Sequence, residues 1–329
     1  ARPARAASAA GGAGARGGTR RVAGSLLDAS HVVALYAEYL SARVPARRIL
    51  AGAARRAWRA ARARLPLQAP GRAELEAGLG PAGALAERLA SPGRGLVAGA
   101  RAALAAALTR WFPEERARAT ARAEAALAGR LRVFGTPVAV ARPGGGTAWQ
   151  RPPEPDLGGG RPPAWPEGDP RLAWSVGRGE QWVALGCAAV AAPEAAPRWA
   201  EGLATSVRDF ARENPLGRGV QWDSPMEAAL RLVCLGQAHA LLAGERALLD
   251  PAYALAVAGL AVGTARLLRA RLEDAGAVPN NHLVADHVGL LAAAALLPEW
   301  PGAARWAAAG AVGLRRAMAE QTHAEGTSF

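Results

Sequence analysis

Residues 224–244 read SPMEAALRLVCLGQAHALLAG, and the reading of the chain starts from them. Ser224 is a good N-cap, Pro225 falls at the first helical position where its missing N–H costs nothing, and Glu227 completes a capping box. Gly244 stands where the helix should stop, because glycine enters a left-handed C-cap without strain. Outward from this stretch the same grammar repeats. Helices are expected near 170–191, 198–213, 224–243, 251–273, 281–297 and 302–323, joined by short connections. Short connections make neighbours antiparallel hairpins. The expected fold is all-α, an incomplete (α/α) toroid of helix hairpins, although no strict repeat of fixed period is visible.

Towards the N-terminus, residues 1–24 are rich in Ala, Gly and Arg without apolar period and read as a disordered tail. His31 to Leu40 carries a helical apolar stripe, and further helices are expected near 47–64, 72–90, 95–111 and 114–130. At 131–141 the pattern changes to a short β-like run. A Pro/Gly-rich loop follows over 142–170; its Trp149 and Trp165 favour packing back onto the domain. The glycine clusters 144–146 and 158–160 read as flexible linker.

Composition narrows the function. All 40 basic residues among 329 are Arg, so a phosphate-loop lysine, a Schiff-base lysine and a lysine base are excluded. The net charge of +13 is uneven: residues 1–150 hold 24 Arg against 8 acids, residues 151–329 hold 16 against 19. Seven of the ten Trp fall in the near-neutral part, so basicity and aromatic platforms are separated and nucleic acid is not the expected partner. Cys187 and Cys234 read as two buried thiols, with one disulfide the alternative, and no zinc spacing is present. No membrane span or signal peptide is expected; the longest uncharged run, 251–265, is short of the ~20 residues a span requires.

Two polar islands interrupt this apolar, alanine-rich background. Pro279-Asn280-Asn281-His282 opens a greasy helix. Asn280 can cap it, which leaves Asn281 and His282 to be explained. A helix N-terminus favours an anion, and Asn281 and His282 could add donors to a bound carboxylate. Asp286, one turn on, could orient the His282 ring. The other island, 214–231, holds Asn214, Arg218, Gln221, Trp222, Glu227 and Arg231. Trp222 beside amides and Arg218 suits a sugar, and suits a core Trp with a satisfied N–H equally well. Glu227 and Arg231, four apart, can pair with each other.

Taken in order, the run from Asn214 to Arg231, then Asn280 to Asp286, then Glu320-Gln321 with Gly326-Thr327-Ser328, resembles the heparinase II/III-like polysaccharide lyases. The run Asp169-Pro170-Arg171-Leu172-Ala173-Trp174-Ser175-Val176-Gly177-Arg178 also resembles that family's helix after its Trp-containing loop, and the likeness covers about 130–329. The resemblance implies a helical toroid over 25–329 followed by a C-terminal β-sandwich, which would also carry any structural metal; no cofactor or metal is expected in these residues. It implies β-elimination on an acidic, uronic-acid polysaccharide. Asn281 would neutralise the carboxylate beside His282, and Asn214, Arg218, Gln221, Trp222 and Asn280 would line the substrate. Asp286, Glu227 and Arg231 would stand behind them. The family's tyrosine base is expected beyond Phe329, so these residues alone would be inactive. A periplasmic or secreted location follows from the resemblance only. The alternative is a non-catalytic glycan-binding relative. A toroid glycoside hydrolase on Asp223 and Glu227 is a weaker third, since Glu227 already serves a cap.

Overall fold

The computed structural model describes residues 67–91, 100–156, 168–273 and 280–322. The expectations for 1–24, 31–40 and 47–64, and for Trp165, lie outside the described residues. Eleven α-helices are present among the described residues: α1 (Arg72–Leu79), α2 (Ala82–Ala90), α3 (Ala100–Trp111), α4 (Pro113–Leu127), α5 (Pro170–Gly177), α6 (Glu180–Ala191), α7 (Ala196–Glu213), α8 (Pro225–Leu241), α9 (Pro251–Arg271), α10 (Asn281–Leu296) and α11 (Ala303–Gln321). The caps expected at Ser224 and Asn280 are made, and Asp169 and Asp250 add two more. The side chains of Asp169, Ser224, Asp250 and Asn280 each accept a backbone N–H from the first turn of α5, α8, α9 and α10.

Two expected helices are each two. Residues 72–90 break at Gly80, whose φ of 77° ends α1 before Pro81 leads into α2. Residues 170–191 break at Gly179, which holds φ 89° between α5 and α6. Both breaks sit where a side chain would resist the left-handed conformation. The β-like run is a hairpin: β1 (Arg130–Val133) pairs antiparallel with β2 (Thr136–Ala139) across a tight turn at Phe134-Gly135, and β3 (Glu154–Pro155) adds to β2. Gly144 to Gly146 are not loose linker. All three have positive φ and form a closed turn, with the Arg142 N–H donating to the Gly146 carbonyl at 2.9 Å.

The last six helices pair as hairpins α6/α7, α8/α9 and α10/α11, and alternate helices also pack side by side. Thus α8 lies between α6 and α10, while α9 contacts α7 as well as α8 and α10, giving two layers of a toroid-like all-α fold. Small residues permit close approach. A Cβ on Gly289 of α10 would fall 2.6 Å from the Ala229 Cβ on α8, and one on Gly310 of α11 would fall 2.8 Å from the His287 carbonyl. The helix α9 is long and apolar enough to cross a bilayer by length and composition, beyond what the uncharged run suggested. Two-thirds of its most apolar window is buried inside the protein, against α2, α7, α8 and α10. An aromatic cluster of Trp149, Trp182 and Phe210, with centroids 5.0–6.3 Å apart, fastens the long loop to α6 and α7. The Trp149 N–H donates to Asp209 at 2.8 Å, so this Trp packs back as expected. Both cysteines are free.

Candidate functional site

The helix α10 begins at the surface. Asn280 Oδ1 accepts the Leu283 N–H at 3.2 Å, the cap foreseen for it, and its carbonyl accepts Gln321 Nε2 at 2.9 Å from the end of α11. Asn281, the first helical residue, is exposed. His282 is half-buried, and its Nδ1 lies 3.1 Å from Glu273 Oε1. Asp286 is fully buried and accepts the Glu273 N–H on Oδ2 at 2.7 Å. The ring partner of His282 is therefore Glu273, and Asp286 fixes the backbone of that partner, a correction to the expected Asp286–His282 pairing. The second oxygen of Glu273 accepts the Met226 N–H at 3.0 Å. Pro225 has no N–H to offer, so this is the first donor of α8, and one carboxylate joins the mouths of α8 and α10.

The other island is mostly a buried frame. Asn214, Gln221 and Trp222 are 1 %, 0 % and 3 % exposed, so the expectation that they contact substrate does not hold. Burial obliges each polar group to find a partner inside the protein. Asn214 donates to the Phe210 carbonyl at 2.8 Å and accepts from Gln150. Gln221 donates to the carbonyls of Trp149 and Ala173. The Trp222 N–H donates to the Asn214 carbonyl at 3.0 Å. Arg218 and Asn280 remain exposed, as substrate contacts require.

Glu227 and Arg231 do not form the expected pair. Arg178 grips Glu227 through two bonds of 2.8 and 2.9 Å, and Ser224 caps without the reciprocal arm of the box. This grip holds the Arg178 guanidinium above its ordinary value. Arg231, 2 % exposed, donates to the Gly177 carbonyl at 2.6 Å, the Gln221 carbonyl at 2.8 Å and Gln221 Oε1 at 3.1 Å. Its guanidinium carbon lies 4.5 Å from the Phe210 ring centroid and 5.3 Å from that of Trp222. Burial pushes its pKa down to about 9 against the pull of Glu227, so it is charged at neutral pH. Gly177 is glycine for a reason: any Cβ there would run into Gln221. Nearby, burial pushes the Cys234 thiol up to about 12, so it is no nucleophile. No three His, Cys, Asp or Glu side chains gather to hold a metal among the described residues.

The structure thus brings Asn281, His282, Glu273, Asp286 and the start of α8 together, over a locked base of Arg178, Glu227, Gln221 and Arg231. No protein-family model and no curated protein matches the sequence. The fold does match solved structures. Heparan sulfate lyase HepC from Pedobacter heparinus superposes with a TM-score of 0.51 and 22 % identity over 64 % of this chain and 30 % of that one. A mutant of the same enzyme gives 0.50 and 21 % over the same shares. The fold is heparinase II/III-like. The heparinase-like part spans 30 % of the length of the matched structures, and at this identity the likeness speaks for fold.

Within that heparinase-like frame, sequence reading missed Glu273 and the bidentate use of Arg178. Glu273 did carry a signal. It is an acid just past the C-terminus of α9, where the helix dipole favours a cation, and a broken local rule of that kind marks a tertiary use.

Proposed function

We propose that these residues form the carboxylate-handling side of a polysaccharide lyase that cleaves a uronic-acid polysaccharide by β-elimination. The observation that carries this reading is Asn281: an exposed amide at the first turn of a sixteen-residue helix, next to a histidine whose ring is held by a carboxylate. The fold shared with a heparan sulfate lyase supports the same class. The chemistry is demanding at one point. The C5 proton of a uronate is acidic only when the adjoining carboxylate is neutralised, so that charge can develop into it as the proton leaves. An amide donor backed by the positive end of α10 supplies that neutralisation, and His282 adds a second group at the same place. The electrons of the C5–H bond form the C4–C5 double bond, and the C4 oxygen leaves with a proton from an acid.

Among the described residues no tyrosine is available as the base. Tyr253 is fully buried, its hydroxyl is held by His239 at 2.9 Å, and burial raises its pKa well above the ordinary phenol value. The reading therefore takes the base, a tyrosine by resemblance, from elsewhere in the protein. The second reading is a glycan-binding relative without turnover. The test is incubation of the full-length protein with heparan sulfate, hyaluronan and alginate, following the ultraviolet absorbance of the unsaturated uronate. Turnover is expected on at least one, with Asn281→Ala lowering kcat by about 100- to 1000-fold, as loss of one charge-stabilising donor does. Unchanged turnover in that variant would overturn the role of Asn281. Binding without product would select the second reading.

A further inference from the structure

We infer that Glu273 is a positioning residue that sets the tautomer of His282. Its consequence for catalysis rests on the lyase reading above; the tautomer itself does not. The carboxylate of Glu273 spans two donors: Oε1 lies 3.1 Å from His282 Nδ1, and Oε2 accepts the Met226 N–H at 3.0 Å. A carboxylate is acceptor-only, so the proton in the first contact belongs to Nδ1. That leaves Nε2, on the far side of the ring, as the nitrogen with a lone pair for a ligand. Carboxylates fix histidine tautomers in this way wherever ring orientation matters.

The rest of the local structure holds the carboxylate in place. Its own N–H is anchored on the buried Asp286 at 2.7 Å, from the turn of α10 that follows His282. The Met226 N–H fixes the other oxygen from α8, a different hairpin. Glu273 is therefore tethered at three points, from two helices; Met226 contributes only a backbone N–H and Asp286 is buried, while the His282 ring is partly exposed. The geometry also explains why the residue is an acid. Glutamine has one side-chain acceptor and could serve the Met226 N–H or the Nδ1 proton, but not both. Aspartate keeps two acceptors at shorter reach.

The experiment uses the full chain labelled with 15N-histidine, and reads ring nitrogen shifts at a pH where His282 is neutral, with His282→Gln assigning its signals. The wild type should show the Nδ1–H form. Glu273→Gln should shift the ring towards Nε2–H, and Glu273→Asp should restore Nδ1–H in part; matching urea midpoints for the three proteins show that the change is local. An Nε2–H ring in the wild type, or a ring unmoved by Glu273→Gln, overturns the inference. In the full-length protein the same substitution should lower kcat by about 10- to 100-fold with little change in KM, since the ring is mis-set and the carboxylate site is intact. A loss of activity that appears only as a raised KM would also overturn the positioning role. A tautomer that responds as stated in a protein without turnover supports the inference and rejects the lyase reading alone.

Discussion

Replacing Arg231 by Met tests whether the first polar island is a buried frame. Met is close in length and apolar, so the substitution empties little volume and acts mainly on the bonds. Three acceptors lose their donor: the Gly177 carbonyl, the Gln221 carbonyl and Gln221 Oε1. A buried group left unpaired costs about 1–3 kcal/mol, so the gross loss for three is about 3–9 kcal/mol. Part of this returns, because the wild-type protein carries the cost of burying a guanidinium, visible in its pKa of about 9. The expected net loss is about 3 kcal/mol, a large share of the 5–15 kcal/mol typical of a domain. Urea unfolding should show a lower midpoint at unchanged slope, and Arg231→Lys should fall between the two because an ammonium cannot span the same fork. A Met variant within about 1 kcal/mol of wild type would refute the argument, and would mean that Gln221 re-pairs unaided.

Three further outcomes are expected. His287 is buried, and burial lowers its pKa from 6.5, so the unfolded chain binds more protons as pH falls through that value. Stability is therefore full above about pH 6.5 and declines below it, and His287→Phe should flatten the decline in thermal melts across pH 5–8. Gly313→Ala on α11 places a methyl against the His287 ring and should cost about 1–3 kcal/mol by overpacking, seen as a lower melting temperature. Trp149→Phe removes the 2.8 Å bond to Asp209 but keeps an aromatic against Phe210; the loss should be about 1–2 kcal/mol in urea, with near-ultraviolet dichroism reduced.

The helices were legible because their signals are local. Ser224, Asp250 and Asn280 cap the next few residues, and neighbouring hairpins follow from short connections. The breaks at Gly80 and Gly179 were missed because the apolar period runs through them, and a single glycine inside such a pattern is usually tolerated. In the second island the cap at Asn280 was read correctly, but the ring partner of His282 was not, since Glu273 takes the place expected for Asp286. The first island was misread for a physical reason. A sugar site and a buried polar network ask for the same residues, amides, an arginine and a Trp, and only burial separates them. Burial is set by Trp149 and Ala173, which lie 72 and 48 residues from Gln221. Glu227 shows the same limit. Its capping position was evident three residues from Ser224, while its true partner, Arg178, is 49 residues distant.

The sorting of polar residues into a locked base and an open tip has a consequence for how this surface can change. Arg178, Gln221, Glu227 and Arg231 bear on one another, so altering any of them spends stability before it alters recognition. Asn281 and Arg218 are exposed, so exchanging either should cost the fold little. Selection, natural or in a library, can therefore explore new ligands at Arg218 while the fold beneath stays fixed, whereas exchange of Asn281 would act on the proposed chemistry and not on stability.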